Sequence, residues 1–222
     1  TSVSDDVAPV IGIVPSGGST NDPVLVIAGT AEANSTVTLF NGATALGTTI
    51  ANGSGVWSFT TATLASGTTY SFNASARNGA GNVSVTPGNY LVTVDTAAPN
   101  PPVITTVTDD VAPVTGTVAN GGSTNDTVLV IAGTAEANST VTLFNGSASL
   151  GTTSANGSGD WSFSTATLIN GTYSFKATAT DAAGNGSVVS AAYTVTVDTA
   201  APNAPVITTV TDDVAPVTGT VA

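Results

Sequence analysis

DTAAPNPPVITTVTDDVAPVTGTV, residues 95–118, returns as DTAAPNAPVITTVTDDVAPVTGTV at residues 198–221. A seam written twice at this length joins copies of a module more readily than it forms a loop inside one. Working outward, residues 5–68 match residues 109–172, and past the turn at Gly67 and Thr69 the copies run one residue closer together. A period of about 100 residues is too long for a solenoid unit and suits a whole small domain.

No helical period is present, so the chain is read as all-β. Copy 2 divides into seven short strands: VAPVTGTV (111–118), VLVIAGTA (128–135), TVTLFNG (140–146), SLGTTSA (149–155), DWSFST (160–165), TYSFKATAT (172–180) and AYTVTV (192–197). The turns NGGSTND, EANS, NGSA, NGSG, LINGT and DAAGN separate them, each with a Gly or Asn able to take positive φ. In the sixth strand Tyr173, Phe175, Ala177 and Ala179 alternate with Ser174, Lys176 and Thr178. That is the mark of a half-buried strand. Trp57 and Trp161 are expected to anchor the two cores, each worth roughly 3 kcal/mol or more by truncation. The pattern predicts tandem immunoglobulin-like β-sandwiches, end to end, without the cysteine pair.

The expected boundaries are 1–97 for the first sandwich, 98–198 for the second, and 199–222 for a linker and the first strand of a third. The stretch PVITTV (102–107) reads either as the first half of a kinked first strand or as linker. The chain is expected to be a stretch of a longer array, with its tail frayed or held by a neighbour.

Composition narrows the function. Fourteen acids against two bases, Arg77 and Lys176, give a net charge of −12. Nucleic acid and anionic lipid both need a basic surface, so neither is an expected partner. The absence of Cys and His removes disulfides, thiol chemistry, imidazole catalysis and Cys/His zinc sites. Without histidine no conventional serine triad can form. Paired carboxylates in turns, with few aromatics near them, make a poor glycosidase. No enzyme and no small-molecule substrate are expected. No apolar run reaches the roughly 18 residues of a membrane span, and no basic segment leads into an apolar core as in a signal peptide.

The acids carry the positive argument. In an immunoglobulin-like topology the first strand runs down, the second up, the third down, the sixth up and the last down. Asp22 and Asp95 then fall at the bottom of copy 1, and Glu136, Asp181 and Asn185 at the top of copy 2. Asp109 and Asp110 are expected between or beside them. Oxygen ligands gathered without Lys or Arg suit calcium, which takes six to eight at about 2.4 Å. Otherwise the like charges cost stability. The competing reading is that Asp and Asn in turns bond their own backbone; for Asn125 and Asp126 the two readings stand level. Asp160 has Val56 as its counterpart and reads as a surface turn acid.

The strings VTDDVAPVTGTV, STNDTVLVIAGTAEANSTVTLF, SGDWSF, ATDAAGNGS and TVTVDTAAP resemble the bacterial immunoglobulin-like repeats of giant RTX-type and biofilm-associated adhesins. The resemblance covers essentially the whole chain. It implies an extracellular protein on a bacterial cell surface, in which these repeats form an extender stiffened by Ca2+ at the joints. The partners it implies are neighbouring repeats of the same chain. Carried over by position, the calcium-associated acids are Asp95, Asp109, Asp110, Glu136 and Asp181, with equivalents at Asp5, Asp6, Glu32, Asp198, Asp212 and Asp213; Asp22, Asp126 and Asn185 complete the candidate set. Copy 1 departs at SARNGAGNVS, where Asn78 stands in place of Asp181. The alternative role is a ligand-binding module for a glycan or host receptor, which would need an exposed aromatic platform.

Overall fold

The β-branched runs do form strands. The computed structural model describes residues 1–212, 215 and 218–220. Domain 1 contains β1 (Ser2–Asp5), β2 (Gly12–Val14), β3 (Gly18–Thr20), β4 (Val26–Thr30), β5 (Thr36–Asn41), β6 (Thr44–Ile50), β7 (Val56–Thr60), β8 (Thr68–Arg77) and β9 (Tyr90–Val94). Domain 2 repeats the set as β10 (Val103–Asp109), β11 (Gly116–Thr117), β12 (Gly122–Thr124), β13 (Val130–Thr134), β14 (Thr140–Asn145), β15 (Ala148–Ser154), β16 (Asp160–Ser164), β17 (Gly171–Thr180) and β18 (Tyr193–Val197).

Each domain is two facing sheets. In domain 1 their orders are β2-β1-β4-β7 and β3-β9-β8-β5-β6, and in domain 2 they are β11-β10-β13-β16 and β12-β18-β17-β14-β15. The pairings are antiparallel except β3 with β9 and β12 with β18, which run parallel. The chain thus starts in one sheet and crosses to the edge of the other before the second long strand. This is an all-β, immunoglobulin-like sandwich, made twice.

Alternation fills the space between the sheets. In β17, Phe175, Ala177 and Ala179 are fully buried while Ser174, Lys176 and Thr178 are not. Phe175 packs with Leu129, Ile131, Val141, Leu143, Trp161 and Val195 into one core, and Phe72, Leu25, Ile27, Val37, Leu39, Trp57 and Val92 make its twin. Each Trp lies against a glycine of the neighbouring strand: a Cβ on Gly29 or Gly133 would come within 2.8 Å of the Trp57 or Trp161 ring. The EANS turns do require positive φ, at Asn34 (60°) and Asn138 (63°), a conformation Asn tolerates better than other side chains.

The first strand differs from its sequence reading. It is Val103–Asp109, not residues 111–118, of which only Gly116 and Thr117 pair. The valines of VAPVTGTV fit a strand, but the Asp109 carboxylate accepts the Val111 N–H at 2.8 Å and closes a turn. Pro113 and Gly116 (φ 113°) then carry the reversal on. PVITTV therefore belongs to domain 2, with Val103 opposite Thr134 and Ile104 opposite Gly133. NGGSTND, read as a turn, contains the short crossing strand β12.

Residues 206–212 repeat β10 letter for letter, yet 201–210 have no regular structure and are exposed. Among the described residues of the tail, β19 (Thr211–Asp212) and β20 (Gly219–Thr220) pair with each other.

Candidate functional site: the acidic ends and the joint

A carboxylate at the end of a strand can bond the backbone two residues on, and this chain uses the device repeatedly. Asp5 accepts from Val7 N at 2.7 Å, Asp22 from Val24 N at 2.7 Å and Asp95 from Ala97 N at 3.0 Å. In domain 2 the same bonds join Asp109 to Val111, Asp126 to Val128, Asp181 to Ala183 and Asp198 to Ala200. Each of these acids thus bonds its own backbone, Asp126 included.

Two acids per domain are also buried. Asp5 and Asp22 are 4% and 2% exposed, and Asp109 and Asp126 are 4% and 3% exposed. Thr20 ties the first pair together: its hydroxyl donates to Asp5 Oδ2 at 2.6 Å and accepts from Asp22 N at 3.1 Å. The second oxygen of Asp22 takes the Asp6 N–H at 3.3 Å. Thr124 does the same for Asp109 (2.6 Å) and Asp126 (2.9 Å), while Asp110 N donates to Asp126 at 3.3 Å. Asp6 and Asp110 themselves are exposed.

Register fixes which end each acid occupies. Val103 lies opposite Thr134, and Thr108 opposite Val130. Thr140 lies opposite Thr180. Glu136, Asp181 and Asn185 are therefore at the top of domain 2, and Asp109, Asp110, Asp126 and Asp198 at its bottom. This corrects the placement of Asp109 and Asp110 beside Glu136 and Asp181: the length of β10, roughly 20 Å, separates them. The error follows from the misassigned first strand. At the joint between the two domains the acids from below are instead Asp5, Asp6, Asp22 and Asp95, the last bonded to Thr20 O at 2.8 Å. Glu32 and Glu136 are exposed, each at the top of its own domain. Asp212 lies in β19 by its backbone, and Asp213 falls outside the described residues. Among the described residues no three acids gather closely enough to hold a metal ion by themselves.

The joint has its own contact, made by Asp95, Asp181 and Asn185, which the immunoglobulin-like topology places at these two ends. The loop 181–185 closes on the Asp181 carboxylate, whose Oδ1 accepts from both Ala183 N and Asn185 N at 2.9 Å. Asn185 Nδ2 then donates to Asp181 Oδ2 and, across the joint, to the Asp95 carbonyl, both at 2.8 Å. Gly184, at φ 94°, sits against the β1–β2 loop of domain 1: a Cβ there would meet Val10 at 2.9 Å and Pro9 at 3.5 Å. In the corresponding loop of domain 1, Ala80 and Asn82 are exposed where Ala183 is buried and Asn185 half-buried.

The fold and its acid-stitched ends define tandem immunoglobulin-like modules. The family model for a bacterial Ig-like domain matches residues 11–96 and 100–199, and the chain belongs to that family. Among solved structures it is similar to a biofilm-associated protein, BSP domain (25% identity, TM-score 0.32, covering 83% of this chain and 29% of that one). It is also similar to a Ca2+-stabilized adhesin that helps an Antarctic bacterium reach out and bind ice (25% identity, TM-score 0.36, 81% of this chain and 45% of that one). A third is the human OSCAR ligand-binding domain (14% identity, TM-score 0.38, 78% and 91%). The chain thus spans about a third to a half of the two bacterial structures. No curated protein matches its sequence.

Proposed function

We propose that this chain is an extender segment of a large bacterial cell-surface adhesin, with residues 1–97 and 98–198 as successive repeats and 199–222 leading into another. Its task is mechanical: it holds an adhesive tip away from the cell for attachment or biofilm formation. The observation that carries this reading is the end-to-end joint, in which Gly184 and Asn185 of one domain meet Val10 and the Asp95 carbonyl of the other. The large exposed apolar side chains among the described residues are valines, isoleucines and leucines, which favours a spacer over a glycan or receptor platform.

Calcium is the proposed stiffener. Asn185 Nδ2 bridges two oxygens, one of Asp181 and one of Asp95. An amide turned by half a rotation presents its oxygen instead, and the gap then faces Asp95 carbonyl, Asp181 carboxylate and Asn185 amide oxygens. Calcium takes such mixed sets of carboxylate, amide and backbone oxygens, completed by water. The exposed carboxylate of Asp6 lies at the same end of domain 1. These residues fit the ion, which would supply positive charge where the sequence supplies none.

Small-angle scattering with calcium and with chelator, beside circular dichroism, tests the reading. The expected result is a larger and narrower distribution of dimensions in calcium, with the β signal kept in both. An unchanged distribution sinks the stiffening mechanism.

A further inference from the structure

Asparagine followed by glycine occurs eight times in this chain. Four of those glycines meet a backbone need: Gly42, Gly121, Gly146 and Gly171 have φ between 58° and 157°, where a side chain is strained. At Gly53, Gly79, Gly157 and Gly186 φ lies outside that region, and a Cβ would meet nothing within 4 Å. Gly186 is bridged to Thr180, and the Asn185 amide before it is committed to Asp95 and Asp181. At Gly53, Gly79 and Gly157 neither conformation nor packing calls for glycine.

These three steps share one arrangement. The asparagine turns its Oδ1 on to the backbone N–H groups two and four residues further on. Asn52 accepts from Ser54 N and Val56 N at 2.9 Å each, and Asn156 from Ser158 N at 2.8 Å and Asp160 N at 3.0 Å. Asn78 accepts from Ala80 N and Asn82 N at 3.1 Å each. To reach these donors the side chain folds back over the glycine peptide, which brings Cγ towards the glycine nitrogen. The two N–H groups also face the oxygen that gains charge when Cγ is attacked, as in an oxyanion hole. Among the described residues, neither the glycine N–H nor the asparagine Nδ2 of these three steps is bonded. Elsewhere the glycine is held: Gly42, Gly121 and Gly146 donate to the Ser71, Thr194 and Ser174 carbonyls at 2.8 Å, and Gly171 lies in β17 opposite Val197. Asn156 and Gly157 are exposed although the top of domain 2 meets domain 1, and so is Ala182, which stands where Gly79 does.

We infer that Asn52, Asn78 and Asn156 are sites of self-modification, each losing its side-chain amide to water without an enzyme. The glycine nitrogen forms a bond to Cγ, the Cγ–Nδ2 bond breaks, and the proton lost from the glycine nitrogen leaves with the ammonia. The five-membered imide that remains takes up one water. Opening at Cγ restores the backbone and gives aspartate; opening at the main-chain carbonyl gives isoaspartate, with the chain running through Cγ. Each event adds one negative charge to a chain already at −12. At Asn78 the aspartate product is the residue that domain 2 has at Asp181, whose Oδ1 accepts from the equivalent two N–H groups at 2.9 Å. That loop therefore keeps its shape on conversion. The turns at Asn52 and Asn156 bond the EANS side of each domain, through Asn34 N to Ala51 O and Asn138 N to Asn156 O, so the added charge collects at the domain tops.

Incubation of the whole chain in mildly alkaline buffer, followed by proteolysis in acid and peptide mass spectrometry, reads this out. Asn52, Asn78 and Asn156 should gain the mass of an amide turned to an acid well before the other five, at a rate that rises with hydroxide. Part of the product should accept a methyl group from an isoaspartate methyltransferase. Gly157→Ala places a methyl group in open space, so domain 2 keeps its fold, and it crowds the attacking nitrogen. Conversion at Asn156 should then be lost over the same interval while Asn52 in the same chain converts as before; Gly53→Ala should give the reciprocal result. Simultaneous conversion of all eight overturns the inference. So does survival of these three amides while a synthetic peptide of residues 51–55 converts, or conversion of the alanine variants as fast as the parent.

Discussion

Thr20 and Thr124 each hold two buried acids at once. The hydroxyl donates to one carboxylate and accepts the backbone N–H of the other. Valine has the same shape and can do neither. Thr20→Val leaves a buried carboxylate oxygen and a buried N–H unsatisfied, a loss of about 1–3 kcal/mol. Urea unfolding should show domain 1 melting earlier while domain 2 keeps its midpoint; equal shifts in both would contradict a local role. The acids of these knots were legible as turn residues, because Asp followed two positions later by a free N–H is a local pattern. Their partners were not, since Thr20 meets Asp5 only through the crossing of β3 to the second sheet. The same local device differs in charge at the loop tops. Asn78 Oδ1 accepts its two bonds at 3.1 Å, whereas Asp181 accepts the equivalent pair at 2.9 Å, as charge-assisted bonds do. If calcium binds these loops, Asn78→Asp should raise affinity at the top of domain 1. Calorimetric titration of the variant against the parent checks this, and unchanged binding removes the loop from the site.

At the scale of the element, β10 is the instructive case. Its letters, PVITTV, fit either the first half of a first strand or a linker, and the neighbouring VAPVTGTV competed for the strand with β-branched residues of its own. What decided between them was a turn closed by Asp109, together with pairing to β13, a partner more than twenty residues away. By contrast β17 and its alternation, the hairpin β14–β15 and the Trp-centred cores were legible, because a period of two and large apolar groups are written into the strand itself. Packing across the sheet was not. Gly29 is open to one side only because the Trp57 ring lies over it. Gly29→Ala should therefore lower the stability of domain 1 by about 1–3 kcal/mol through overpacking. Chemical denaturation followed by tryptophan fluorescence measures it. A neutral result would mean that the ring moves aside without cost.

The whole molecule is two firm cores and one thin joint. Each sandwich buries its own Trp, Phe and aliphatic set, with no core residue borrowed from the other. Among the described residues one hydrogen bond crosses the joint, from Asn185 to the Asp95 carbonyl, and Gly184 lies close to Val10. Contacts this sparse leave relative motion as the default, so one side chain should govern orientation without governing folding. Asn185→Ala removes the bridge to Asp95 and the bond to the Asp181 carboxylate, while Asp181 keeps the two backbone N–H groups that shape the loop. Both unfolding midpoints should stay close to those of the parent. The distribution of distances between spin labels placed on exposed β6 and β15 positions, such as Thr44 and Ala148, should broaden in pulsed electron resonance. The comparison is made in chelator, where the amide bridge acts alone. Narrow distributions in both proteins would assign the orientation to the proline-rich connector, whose Pro99 and Pro102 are buried, rather than to Asn185.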